Sequence, residues 1–156
     1  MALDIPGALK SLASAGSAIT ELSQWLKKSK GDARSLLSEL KQNLIYLDMV
    51  LNDKIPLDSI IDKIKTEEYK RLSISGFDFN SLKHKKIPTY PSLKNSALAS
   101  WSGKSTEELV ENIYDKINDL KTRHPLLSNK QNYRWNIRVN NIRIRIWLLL
   151  RHVRTK

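Results

Sequence analysis

Residues 133–154 read YRWNIRVNNIRIRIWLLLRHVR, and two templates compete for them. Tyr133, Trp135, Ile137 and Val139 alternate with polar residues. After Asn140 and Asn141, Ile142, Ile144 and Ile146 alternate with Arg143 and Arg145, which is the pattern of a β-hairpin over 133–148 with a two-residue turn. At 100° per residue, however, Trp135, Val139, Ile142, Ile146, Leu149, Leu150 and Val153 gather on one helical stripe roughly 100° wide. The hairpin stops accounting for the sequence at Trp147, whereas the helix accounts for it through Val153. A helix over 131–155 is therefore expected, with the hairpin as its alternative.

The helical choice carries chemistry. Arg134, Arg138, Arg145 and His152 then lie within about 40° of one another beside the apolar stripe, along roughly 27 Å of helix. The whole chain has 27 Lys and Arg against 16 Asp and Glu, a net charge of +11. Residues 120–156 hold ten basic side chains and no acidic one, against 17 and 16 in residues 1–119. Charge concentrated in this way attracts polyanions. The use of Arg alone between 131 and 155 suits bidentate contact with phosphate oxygens. Arg134, Arg138, Arg143, Arg145, Arg151 and His152 are the candidate anion-binding residues. They are expected to point outward as a continuous strip, His152 adding charge below about pH 6.5.

Upstream, the periodicity is helical. Ile5, Leu9, Leu12, Ile19, Leu22, Trp25 and Leu26 share one face, with Pro6 suited to a first turn and Lys27, Lys28 and Lys30 to a last one before Gly31. Leu37, Leu40, Leu44, Leu47 and Leu51 follow the three-four alternation of a second helix. After Pro56, Leu57, Ile60, Ile61 and Ile64 mark a shorter helix, extending in one reading through 67–72. Between Ser73 and Ala99 the periodicity is lost, and Gly76, Pro88 and Pro91 indicate a long connection. Ser105 with Glu108 forms a capping box ahead of Leu109, Ile113, Ile117 and Leu120, and His124-Pro125 is expected to end that helix. The fold expected is an all-α bundle of four to five helices in a single domain over 1–156, with 1–72 as first helices, 73–99 as loop and 105–124 and 131–155 as later helices.

Several chemistries are disfavoured by what the sequence lacks. There is no Cys, hence no thiolate metal site or disulfide. The longest apolar run, Ile146–Leu150, is far too short to cross a bilayer, so no transmembrane segment is expected; the N-terminus reads as untargeted and the location as cytoplasmic. Gly103-Lys104-Ser105-Thr106 imitates the end of a P-loop, but Leu98 stands where the first Gly is required, and a helix cap accounts for it better. His84, His124 and His152 have no partners at metal-motif spacing, and no cofactor or metal is expected. Glu107, Glu111 and Asp115 read as a solvated helix edge. Trp25 and Trp135 fall on apolar stripes and read as core, whereas Trp147 lies off the main stripe and is the better candidate for an exposed contact.

Arg145 and His152, separated by six residues, resemble the Arg–(four to six residues)–His signature of the HEPN ribonucleases. Those are small all-helical domains in which Arg and His of paired subunits act on RNA without a metal. The resemblance implies a homodimer with Arg145 and His152 as catalytic residues, although Ile146 stands where that family usually has a polar residue. The leading expectation is non-enzymatic: a basic helical module that contacts nucleic-acid phosphates, RNA or DNA, or an acidic protein partner. A membrane-surface-active bundle is the remaining alternative.

Overall fold

Six α-helices run through the computed structural model, which describes residues 15–129 and 133–154: α1 (Ala15–Lys28), α2 (Gly31–Leu51), α3 (Leu57–Ile60), α4 (Glu67–Ser75), α5 (Thr106–Leu127) and α6 (Trp135–Arg154). The chain is all-α. Among the described residues no strand occurs, and the 133–148 hairpin gives way to α6. The part of the first predicted helix that begins at Ile5, with Pro6, Leu9 and Leu12, lies outside the described residues. No described helix is long and apolar enough to cross a membrane.

The periodic positions form the core as expected. Leu22, Leu37, Leu40, Leu44 and Leu47 are fully buried, and so are Leu109, Ile113 and Ile117. Gly31 adopts the left-handed conformation (φ 57°) that separates α1 from α2, a turn a residue with a Cβ would resist. Segment 57–75 divides into α3 and α4 because α2 holds the break from inside. The Asn43 amide donates to the Lys65 carbonyl (2.7 Å) and accepts from the Lys65 N–H (2.9 Å). The buried Glu39 carboxylate accepts the N–H groups of Glu68 and Tyr69 (2.8 and 3.2 Å), capping α4 from a neighbouring helix. Lys121 Nζ donates to the carbonyls of Ile61 and Ile64 (3.0 and 2.6 Å), covering the other side of the break.

Two boundaries differ from expectation. The capping box at Ser105 is present, but α5 continues past His124-Pro125 to Leu127. Pro125 sits in the last turn, where loss of one backbone donor is tolerated more easily than in a helix interior. The connection 73–99 is also shorter and better packed than expected. Residues 73–75 belong to α4, and the rest folds into short 3₁₀ turns at Phe79–Leu82, Pro91–Leu93 and Ala99–Trp101 that bury Phe79, Ile87, Leu93, Leu98 and Trp101. Its neck is closed by two backbone hydrogen bonds, Ile87 N–H to the Lys104 carbonyl (2.9 Å) and Gly103 N–H to the Ile87 carbonyl (2.8 Å). The Gly103 amide that a phosphate-binding loop would present is thereby occupied.

The larger difference concerns α6. It packs against α1, α2 and α5, and every residue from Ile142 to Leu150 is buried. It is thus a central helix, not a peripheral one. Trp147, expected to be exposed, is fully buried, because it lies within the stretch of α6 that is buried all round, and the Arg143 guanidinium lies over its ring at 4.7 Å from the centroid. Arg143 donates to Asp48 Oδ1 on α2 (3.2 Å) and to Asn140 Oδ1 (3.0 Å), with both members of the ion pair about 5% exposed. Burial raises the Asp48 carboxyl above its ordinary value, and the hydrogen bond from Arg143 opposes that rise. Removing one partner of such a pair leaves an uncompensated buried charge. Asp48→Ala is expected to lower the unfolding free energy by about 3–5 kcal/mol in urea titrations, and the paired replacement Asp48→Leu/Arg143→Met to restore most of it.

Candidate anion-binding site

The edge of α6 that carries Arg138, Arg145 and His152 runs antiparallel along α5, and each of the three meets a polar residue there. Arg138 Nη1 donates to Asp119 Oδ2 (3.3 Å), Arg145 Nε to Asn112 Oδ1 (3.0 Å), and His152 Nε2 lies 2.9 Å from Thr106 Oγ1. A spacing of seven on one helix answers a spacing of seven or six on the other, as expected of antiparallel helices packed nearly side by side. Arg145 also donates to the Asn141 carbonyl (2.9 Å) on its own helix.

The predicted strip is therefore interrupted. Arg143, Arg145 and His152 are buried, His152 with only 1% of its surface exposed. Arg143 is held by α2, while Arg145 and His152 are held by α5. Arg151 is half-buried, and Arg154 reaches Glu21 on α1 (3.4 Å). Arg145 and His152, the pair that resembles the HEPN signature, do share one face of α6 as their spacing requires, but that face is packed in the bundle. Lys130 and Lys156 lie outside the described residues.

What the structure brings together lies at the amino end of α6. Lys116, Asp119 and Leu120 of α5 face Tyr133, Arg134, Ile137, Arg138, Asn141 and Ile142 across a cleft of about 540 Å³. Arg134 is exposed. The Arg138 guanidinium lies over the Tyr133 ring at 5.0 Å, and Tyr133 stacks on Trp135 (centroids 5.2 Å apart, planes within 20°). Asp119 is the single carboxylate of the lining, and it also accepts from Arg123 Nε at its other oxygen (2.6 Å). Lys116 is held below its ordinary ammonium value chiefly by burial and then by repulsion from Arg145 and Arg138, which Asp119 offsets in part. The first turn of α6 carries no acidic residue to compensate the positive end of the helix dipole.

Three cations, an aromatic wall and an apolar floor of Leu120, Ile137 and Ile142 form a concave, positively charged surface open to solvent. Of the six candidate residues, only Arg134 and Arg138 belong to it. Lys116 and Asp119 were not among the candidates. The sequence signal for Asp119 is its heptad spacing from Asn112, two acceptors that match Arg138 and Arg145 in antiparallel register; Lys116 carries no such signal.

His152 offers a direct check of this burial. Its imidazole is held below the ordinary value of 6.5 by burial and by the neighbouring Lys83 charge. A group of this kind binds fewer protons in the folded chain than in the unfolded one. Its neutral form supports the fold in full above about pH 6.5, and that support is lost as the pH falls toward its lowered value. His152→Gln keeps a polar group toward Thr106 without titrating. The loss of urea midpoint between pH 7.5 and pH 5 is accordingly expected to be smaller in the variant than in the wild type. Comparison of the chain with protein-family models, with curated proteins and with solved structures gives no match, so its functional reading rests on this geometry.

Proposed function

We propose that this chain is a non-enzymatic binding module that takes up the phosphate backbone of a nucleic acid at the cleft between α5 and α6. One observation carries the reading: Lys116, Arg134 and Arg138 line a single solvent-open cleft with only one carboxylate among them. Like charges gathered on one concave surface repel one another, and an anion seated among them relieves that repulsion. Arg134 and Arg138 supply planar guanidiniums, which suit phosphate oxygens better than a point charge does. The Tyr133 ring in the lining, beside Arg138, favours a nucleic acid over an acidic protein surface, because an aromatic beside cations is the usual arrangement for holding a base next to its phosphate. With Arg145 and His152 engaged inside the bundle, the bound strand is held and not cut.

Fluorescence anisotropy with labelled single-stranded RNA and DNA tests the proposal. Three phosphates neutralised on a single strand correspond to a slope of about −2 in log affinity against log salt concentration. Arg134→Ala/Arg138→Ala is expected to weaken binding to all sequences alike and to flatten that slope to about −0.7, while far-UV circular dichroism stays unchanged. Affinity indifferent to salt, or to the double replacement, would contradict the proposal.

A further inference from the structure

The cleft has a charge balance and a shape that narrow its ligand. Three cations and one carboxylate leave an excess of two positive charges in a space of about 540 Å³, a volume typical of a small-molecule site. An internal phosphodiester of a nucleic acid brings one negative charge and continues in both directions, so it lies along a surface more readily than it enters a cleft. A terminal phosphomonoester brings nearly two negative charges at neutral pH, presents three free oxygens and continues in one direction only. Resting on the reading of the cleft as a nucleic-acid site, we infer that its preferred ligand is the phosphorylated end of a single strand. The terminal phosphate sits among Lys116, Arg134 and Arg138, and the adjoining nucleoside lies toward Tyr133.

Each part of the lining has a place in this assignment. Arg134 is exposed at the cleft and free to fold over an entering phosphate. Arg138 is already oriented by Asp119 Oδ2 and by the Tyr133 ring, so little conformational freedom is lost when it engages an anion. Lys116 is held below its ordinary value by burial and, after it, by its cationic neighbours, and a dianion beside it favours its charged form. Asp119 is drawn toward Arg123, which binds its Oδ1 at 2.6 Å, and this moderates its repulsion of the ligand. Asn141 brings an amide to the same lining, a donor and an acceptor for a sugar hydroxyl or a base edge. A duplex, stiff over many base pairs and with its bases stacked inside, cannot turn one nucleotide into such a space without unpairing it.

The test uses the full chain and ten-residue oligonucleotides of one sequence, bearing a 5′ phosphate, a 3′ phosphate or hydroxyls at both ends, with a blunt duplex carrying the same 5′ phosphate. Binding of one phosphorylated single strand about tenfold or more tighter than the hydroxyl strand is expected, from the added charge-assisted hydrogen bonds. The preference is expected to shrink between pH 7.5 and pH 5.5, as the monoester loses its second charge near pH 6. It should also disappear in Arg134→Ala, an exposed position where folding is not at risk. The corresponding nucleoside monophosphate should compete, at an affinity below that of the strand. Equal affinity for phosphorylated and hydroxyl strands, with salt and Arg134→Ala still weakening both, would overturn this inference and leave backbone binding standing. Equal or tighter binding of the duplex would overturn the single-strand assignment. No binding of any oligonucleotide would overturn the proposed function itself.

Discussion

A helix that carries guanidiniums and an imidazole through the middle of a protein requires a polar partner for each of them, and that requirement organises this chain. Leaving such a group unpaired in the interior costs more than any single apolar contact returns. The buried stretch Ile142–Leu150 meets it on two sides. Asp48 and Asn140 take Arg143 on the α2 side, and Asn112, with Thr106 for His152, takes the α5 side. These contacts join residues separated by 33 to 95 positions in the chain, apart from the local Arg143–Asn140 pair. They fix the register of α6 against both neighbours, where an all-Leu surface would permit sliding by a turn.

The same pairing redistributes the charge asymmetry of the sequence. Several cations of the last quarter are drawn inward: Lys121 onto carbonyls of the α3 segment, Arg143 onto Asp48 and Arg145 onto Asn112, while Arg154 pairs with Glu21 at the surface. A net charge of +11 is a property of composition, and composition does not say which cations face water. Here the fold uses part of the basic excess as internal adhesive and gathers Lys116, Arg134 and Arg138 in one cleft where α6 begins. A concave cluster of three cations gives a steeper local field than a long strip, and it discriminates more by shape.

The helices were legible in the sequence because their signals are local. The three-four spacing of Leu37 to Leu47 and the Ser105–Glu108 capping box depend only on neighbours within a turn or two. Helix was also the right choice over hairpin for 135–154, since only the helical period accounts for Trp147 to Val153. What faced each edge was not legible. A helical wheel places Arg138, Arg145 and His152 on one side, and the structure keeps them there, but it does not say whether solvent or α5 lies opposite. The uninterrupted run Ile146–Leu150 was the available warning, because five consecutive apolar residues cover more than half of the helix circumference and leave little edge for water. Trp147 is buried for the same reason: a residue off one stripe of a helix segment buried all round still lies in the core.

The position of the cleft follows from where the internal pairing stops. Proceeding from the carboxyl end of α6, His152, Arg145 and Arg138 each find an acceptor on α5, and their exposure increases in that order, with the Arg138 side chain 39% exposed. Beyond that rung, Asp119 serves Arg123 as well as Arg138, and Arg134, the preceding basic residue of α6, is exposed at the opening. The cleft thus lies at the end of this α6 edge where burial is least. Of the basic residues on the α5-facing edge of α6, Arg134 and Arg138 are the ones that reach solvent at the cleft, since Arg145 and His152 have their partners inside the fold.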